Sequence, residues 1–305
     1  MTIKEGVLDV KADSRFAWPD GNTEIQPSGV SLPEKPLVII KPRQSWVALD
    51  LRTLWAYHEL LYFLIWRDVK VRYKQTLLGV TWAILQPVIM IVIFSVVFGR
   101  VAGLPSNGIP YPLFAYAGVV AFTFFSSAVT KSGNSLVGSA HLITKIYFPR
   151  IIIPLAAVCA VVIDLVFSLA VLIPLMIHYG IALRGRVVIL LPLILLLILF
   201  SLGVGMWMSA LNVKYRDVGF ALPFLTQIWM FLSPVIYPSS ALPRKFQLIM
   251  MFNPVSGIIE GFRSALFGLP FDWLAILISS AMVFVVLVIA VFRFRRMERE
   301  FADIV

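Results

Sequence analysis

Residues 66–99 read WRDVKVRYKQTLLGVTWAILQPVIMIVIFSVVFG. The stretch opens on Arg67, Lys70, Arg72 and Lys74 against one acid, Asp68, and carries no charge from Leu77 to Gly99. As a helix rising about 1.5 Å per residue, that uncharged part is roughly 34 Å long, enough to cross a bilayer core of about 30 Å. Lys and Arg gather on the cytoplasmic flanks of membrane spans. The stretch therefore predicts an integral membrane protein whose first span leaves the cytoplasm near Gln75–Leu77.

The whole chain agrees with that prediction. Its 305 residues are 60% hydrophobic and 14% charged, with a mean hydropathy of +0.91, whereas soluble domains are about 45–50% apolar and about 25% charged. The net charge is +10, and its distribution is uneven: residues 1–50 hold six basic and seven acidic side chains, the remainder 20 and nine. In a soluble protein such a surplus would point to nucleic acid; in membrane loops it sets topology, and no nucleic-acid partner is expected. Cys159, the single cysteine, lies in an apolar run and cannot form an intrachain disulfide. His58, His141 and His178 fit no metal spacing, so no metal is expected.

The predicted fold is an all-α integral membrane protein with six transmembrane helices, at about 77–99, 112–130, 151–178, 187–211, 218–237 and 272–292. Residues 1–50 have no signal-peptide pattern and are broken by Pro19, Pro27, Pro33, Pro36 and Pro42, which predicts a cytoplasmic tail. Residues 52–66 are aromatic and apolar around His58 and Glu59, which suits a helix lying in the cytoplasmic interface. Thirteen basic residues flank the proposed cytoplasmic ends and six the outer ends, placing both termini inside, with 293–305 as the C-terminal tail. Between spans two and three, Leu136 to Phe148 reads as a short cytoplasmic helix ending before Pro149. Between spans five and six, Phe246–Phe252 and Val255–Leu269, parted by Asn253-Pro254, read as an outer re-entrant helical hairpin in which Glu260 and Arg263 can pair.

Several positions carry a physical signal. Pro87, inside span one, removes a backbone donor and predicts a kink. Ser233-Pro234 and Pro238 weaken the outer end of span five, and Arg216-Asp217 occupies a tight cytoplasmic turn. Asp164 is the only acid between Asp68 and Asp217 and falls within span three, where an uncompensated carboxylate is expensive; a structural or channel-facing role is expected. Phe114, Phe122 and Phe125 share one face of span two, and Phe224, Gln227 and Phe231 one face of span five. Such faces either pack in the core, contact lipid, or stack on the apolar C–H faces of sugars. No G-x-x-x-x-G-K-[ST] occurs, so ATP has no phosphate cradle in this chain.

Three blocks carry a resemblance. They are Arg67-Asp68 with Lys70, Arg72-Tyr73-Lys74-Gln75-Thr76, Leu78-Gly79, Trp82 and Leu85-Gln86-Pro87; Asn212 and Tyr215-Arg216-Asp217 with Gln227, Ser233-Pro234-Val235 and Tyr237-Pro238; and Asn253-Pro254 with Glu260 and Phe262-Arg263. In order and spacing they resemble the permease subunits of ABC-2-type polysaccharide exporters, over about residues 50–300, whereas the 1–50 tail is longer than that family needs. The resemblance implies a transport subunit rather than an enzyme. It would act as a homodimer, with a second copy of itself and two ATP-binding cassette ATPase subunits, which hold the ATP and Mg, and move a lipid-linked polysaccharide across the inner membrane. O-antigen is the first expectation, with capsular polysaccharide or teichoic acid as alternatives. Candidate cargo contacts are Arg67, Lys70, Arg72 and Lys74 beside a lipid diphosphate, and Phe114, Phe122, Phe125, Phe224, Gln227 and Phe231 along the polymer. Candidate ATPase contacts are Ile143, Lys145 and Tyr147; candidate outer-gate residues are Asn253, Pro254, Glu260 and Arg263. Rival classes are a proton-coupled secondary transporter centred on Asp164, and a membrane glycosyltransferase, which would need clustered carboxylates or metal ligands on one aqueous face.

Overall fold

The computed structural model describes residues 55–74, 81–146, 148–182 and 185–298. The expected tail 1–50, the start of the expected first span, Tyr147, and residues 299–305 lie outside them. The described residues form helices and no strand. In order these are α1 (His58–Lys74), α2 (Thr81–Phe94, continued by a π-helical stretch Ser95–Val101), α3 (Tyr111–Gly138), α4 (Ala140–Lys145), α5 (Ile152–His178) and α6 (Leu190–Lys214, led in by a 3₁₀ turn Gly185–Ile189). There follow α7 (Asp217–Phe231), a 3₁₀ turn Ser239–Ala241, α8 (Arg244–Met251), α9 (Pro254–Phe267) and α10 (Trp273–Glu298).

Among the described residues, four helices are long and apolar enough to cross a membrane: α3, α5, α6 with its leading turn, and α10. The expected first span contributes a shorter apolar helix, Leu85–Val101. The expected fifth is also shorter, since α7 has 15 residues and ends at Phe231 rather than at 237. At about 1.5 Å per residue it is only about 22 Å long. Its chain then turns at Ser233-Pro234, where Pro234 has no N–H to continue the ladder.

Two helices outrun their expected ends. Span two, expected to stop at 130, continues as α3 to Gly138, because Lys131 is not a boundary charge: it lies 3.7 Å from Asp164 of α5. Span six continues as α10 to Glu298, carrying Arg293, Arg295 and Arg296 on its last turns, where the helix dipole favours cations. There Glu298 receives the Arg150 amide at 3.2 Å, and its carbonyl the Arg150 guanidinium at 2.8 Å. The expected connecting helix, 136–148, is shorter: Leu136–Gly138 belong to α3, the chain breaks at Ser139, and α4 covers only Ala140–Lys145.

Helix α3 is the axis of the fold. Its most apolar stretch is 78% buried, against 39%, 39% and 28% for the other three long helices. Small residues let its neighbours approach: Ala115, Ala117, Gly118 and Ala121 are all buried. Phe125 stacks on Phe200 of α6 at 5.2 Å and meets Trp229 of α7 edge-on at 5.0 Å. Against this axis packs α9, where 12 residues are buried. Asn253 caps its start by accepting from the Val255 amide at 3.2 Å, Pro254 follows, and Gly268 (φ 74°) closes it in the left-handed conformation. Helix α8 is the opposite case, exposing Phe246, Leu248 and Ile249.

Candidate functional site

Two polar assemblies stand at opposite ends of the bundle. The first joins α1, α3 and α5. Asp164 accepts from the Arg72 guanidinium and from the Tyr73 hydroxyl, and Lys131 Nζ lies 3.7 Å away. Burial, and then the Asp164 carboxylate it donates to, pushes the Tyr73 phenol up to about 12, so it remains a donor at neutral pH. These groups border a cleft of about 320 Å³ that extends to Trp82, Gln86 and Pro87 of α2 and to Thr123 and Ser127 of α3. The expected basic cluster is divided. Arg72 enters the cleft; Arg67 is held by its neighbour Asp68 at 2.9 Å; Lys70 and Lys74 are exposed. Asp164, expected to stand alone, is thereby compensated by two cations and a phenol, which is how a carboxylate is tolerated on an apolar helix.

The second assembly holds the chain after α7. Residues Ser233, Pro234, Val235 and Ile236 are buried but not helical, so their carbonyls need partners. Arg263 of α9 donates to Pro234 O and Val235 O, both at 2.7 Å, and to Phe114 O at 3.2 Å. Its guanidinium carbon sits 3.6 Å from the centre of the Phe114 ring. Tyr111 donates to Ile236 O at 2.9 Å, Glu260 accepts from the Ser239 amide at 3.0 Å, and Asn253 donates to Leu232 O and Ser233 Oγ while accepting from Trp229 Nε1. The expected pairing of Glu260 with Arg263 is therefore corrected: each serves the backbone of 233–239 instead. Gly118 is required here, since a Cβ would lie 2.7 Å from both Arg263 Nη2 and Val235 O.

A third contact closes the turn between α6 and α7, on the same end as the Asp164 cleft. Asn212 donates to Gly133 O and Asn134 Oδ1, both at 3.0 Å, and accepts from the Gly219 amide. Arg216 and Asp217 are exposed on that turn.

The aromatic expectations divide as well. Phe114, Phe122 and Phe125 are 0–4% exposed and form core contacts, so the expectation that they line an open track is corrected to packing. They lie on the central helix, on faces turned away from the cleft that Thr123, Ser127 and Lys131 line. Phe224 and Phe231 are 64% and 58% exposed with Gln227 exposed between them. On α4, Ile143 is buried and Lys145 is exposed. Sequence reasoning missed Tyr73 and Lys131 as partners of Asp164; the only available signal was charge bordering an apolar run.

Residues 59–267 match the family described as ABC-2 type transporter. The O-antigen export system permease protein RfbA of Klebsiella pneumoniae is 28% identical over 249 residues, covering 81% of this chain and 95% of that protein. A protein of the same name from Myxococcus xanthus is 27% identical over 215 residues, covering 70% of this chain and 82% of that one. The polysialic acid transport protein KpsM of Escherichia coli is 26% identical over 204 residues, covering 65% and 78%. With most of its helical body inside the matched region, the chain belongs to the ABC-2 type transporter family.

Proposed function

We propose that this chain is the permease subunit of an ATP-driven exporter that carries a lipid-linked polysaccharide from the cytoplasmic leaflet to the outer face of the inner membrane. O-antigen is the first candidate cargo and capsular polysaccharide the second, because relatives named for O-antigen export and for polysialic acid transport align with most of the chain. Teichoic acid would use the same mechanism. The observation that carries the reading is the Arg72–Asp164–Lys131 cleft at one end of an apolar bundle, a polar and cationic opening of the size an anionic lipid head requires.

In this scheme α2 and α7 act as the first and fifth of six spans, with the buried turn at 233–236 completing the fifth. Helices α8 and α9 form the outer re-entrant hairpin; the burial of α9 fits non-spanning backbone that must be covered by protein. Exposed Trp55, Tyr62, Phe63 and Trp66 suit α1 to the cytoplasmic interface. Both termini lie in the cytoplasm. Two copies would assemble with two ATPase subunits, which hold ATP and Mg and press on α4 through Lys145. Asn253, Pro254, Glu260 and Arg263 would set the outer gate by fixing the turn after α7.

The test is transport in vesicles containing this chain with its ATPase partner. Export of the lipid-linked polymer should require ATP and survive collapse of the proton gradient. Gradient-driven transport without ATP would instead establish the secondary-transporter alternative.

A further inference from the structure

We propose that the cleft bordered by α1, α2, α3 and α5 is a phosphate site for the head of an anionic lipid, in which Asp164 is a resident counter-ion that the phosphate displaces from Arg72 and Lys131. This rests on the exporter reading above and assigns ligands within it.

Three observations carry it. First, the charges converge from separate helices: Arg72 at the end of α1, Lys131 on α3 and Asp164 on α5, with Asp164 bonded to the first and 3.7 Å from the second. Arg67 and Asp68 neutralise each other on α1, so the group retains one positive charge, with Lys70 and Lys74 exposed on the same helix. Second, the charged side chains are reachable: Arg72 is 23%, Asp164 28% and Lys131 39% exposed. Third, the cleft is amphiphilic. Thr123 and Ser127 add hydroxyl groups to its lining, and Met90, Val119, Val120 and Leu165 add apolar wall. Its volume of about 320 Å³ corresponds to roughly ten waters at about 30 Å³ each, room for a diphosphate or a phosphodiester head.

The chemistry then orders the roles. A guanidinium binds phosphate through paired N–H donors, and an ammonium adds a point charge. Without a ligand, both cations would repel across an open cleft; Asp164 holds them in place. An arriving phosphate takes over the same donors and leaves Asp164 to Tyr73. On departure the carboxylate recaptures Arg72. Asp164 is thus a positioning residue that competes with the cargo, and its removal has a sign opposite to that of removing either cation.

The experiment uses the full chain in phosphatidylcholine nanodiscs and measures equilibrium binding of a tritiated polyprenyl diphosphate. Arg72→Gln and Lys131→Gln should each weaken binding about tenfold or more. Asp164→Asn should tighten it several-fold, while export in the vesicle assay falls because release is slowed. Weaker or unchanged binding by folded Asp164→Asn would overturn the counter-ion role. Should that variant not assemble, Arg72→Gln/Asp164→Asn should bind more tightly than Arg72→Gln, because Lys131 is freed of its counter-ion, yet more weakly than wild type; wild-type affinity there would overturn the site. Competition by phosphatidylglycerol equal to that of the polyprenyl diphosphate assigns the site to bulk anionic lipid and supports a lipid-phosphate site. Competition by inorganic diphosphate at the same concentration would overturn the lipid assignment. The exporter reading fails separately, by absence of ATP-dependent transport in wild type, whatever the binding result.

Discussion

At the scale of single residues, Arg263 joins a buried charge to buried carbonyls that the break after α7 leaves without helical partners. A buried cation is costly unless its donors are used, and three of them reach Phe114 O, Pro234 O and Val235 O. Arg263→Met should therefore destabilise the fold by about 2–5 kcal/mol, since it strands carbonyls that nothing else on α9 can reach. Arg263→Lys should lose less, keeping charge but not the planar fork. Thermal unfolding of the detergent-solubilised protein reads both, and equal loss in the two would mean that charge contributes nothing. Gly118→Ala places a methyl 2.7 Å from Arg263 Nη2 and from Val235 O. It should cost about 1–3 kcal/mol, through overpacking. Combined with Arg263→Met the losses should be less than additive, because both act on the same contact.

At the scale of elements, α4 is a short helix with one inward and one outward side. Ile143 is buried among Leu136, Phe148 and Ile152, whereas Lys145 projects outward. In a Cys159→Ser background, Lys145→Cys should react rapidly with a polar maleimide and crosslink to the ATPase subunit. Ile143→Cys should react slowly. Comparable rates at the two positions would show that α4 does not pack as described. The helices themselves were legible from apolar length, and the start of α9 from Asn253-Pro254; its end, read as Leu269, falls earlier, at the left-handed Gly268. Their ends were less so, for a tertiary reason. Lys131 looks like a stop until Asp164 of another helix answers it, and Ser233-Pro234 marks a weak point without showing that Arg263 occupies it. Of the candidate site, the basic residues and the blocks around 212–217, 233–238 and 253–263 were legible by type and order. That the second and third blocks bond to each other was not, because sequence order holds no information about which carbonyl meets which guanidinium. The face shared by Phe114, Phe122 and Phe125 misled because helical spacing identifies a face but not what covers it.

At the scale of the whole molecule, α7 asks what covers it. Only Leu222 and Thr226 are buried along it, while Phe220, Phe224, Leu225, Ile228 and Phe231 are exposed. A helix apolar nearly all round is covered by lipid or by protein. Lipid is the poorer cover here, since α7 exposes Gln227, whose amide would lack partners in hydrocarbon. A second copy facing across a polar conduit satisfies both the amide and the aromatic rings, and leaves the rings available to sugar. The single native cysteine makes the test direct. Gln227→Cys in a Cys159→Ser background, treated with a short bis-maleimide, should yield a covalent dimer of the 34.2 kDa chain. Leu191→Cys, on an exposed face of α6, should yield none. Crosslinked Gln227→Cys should also lose polymer export while its ATPase partner still hydrolyses ATP, because a bridge across the conduit obstructs cargo without touching the nucleotide. Dimers from Leu191→Cys but not from Gln227→Cys would put the contact on α6 and turn the aromatic face of α7 to lipid.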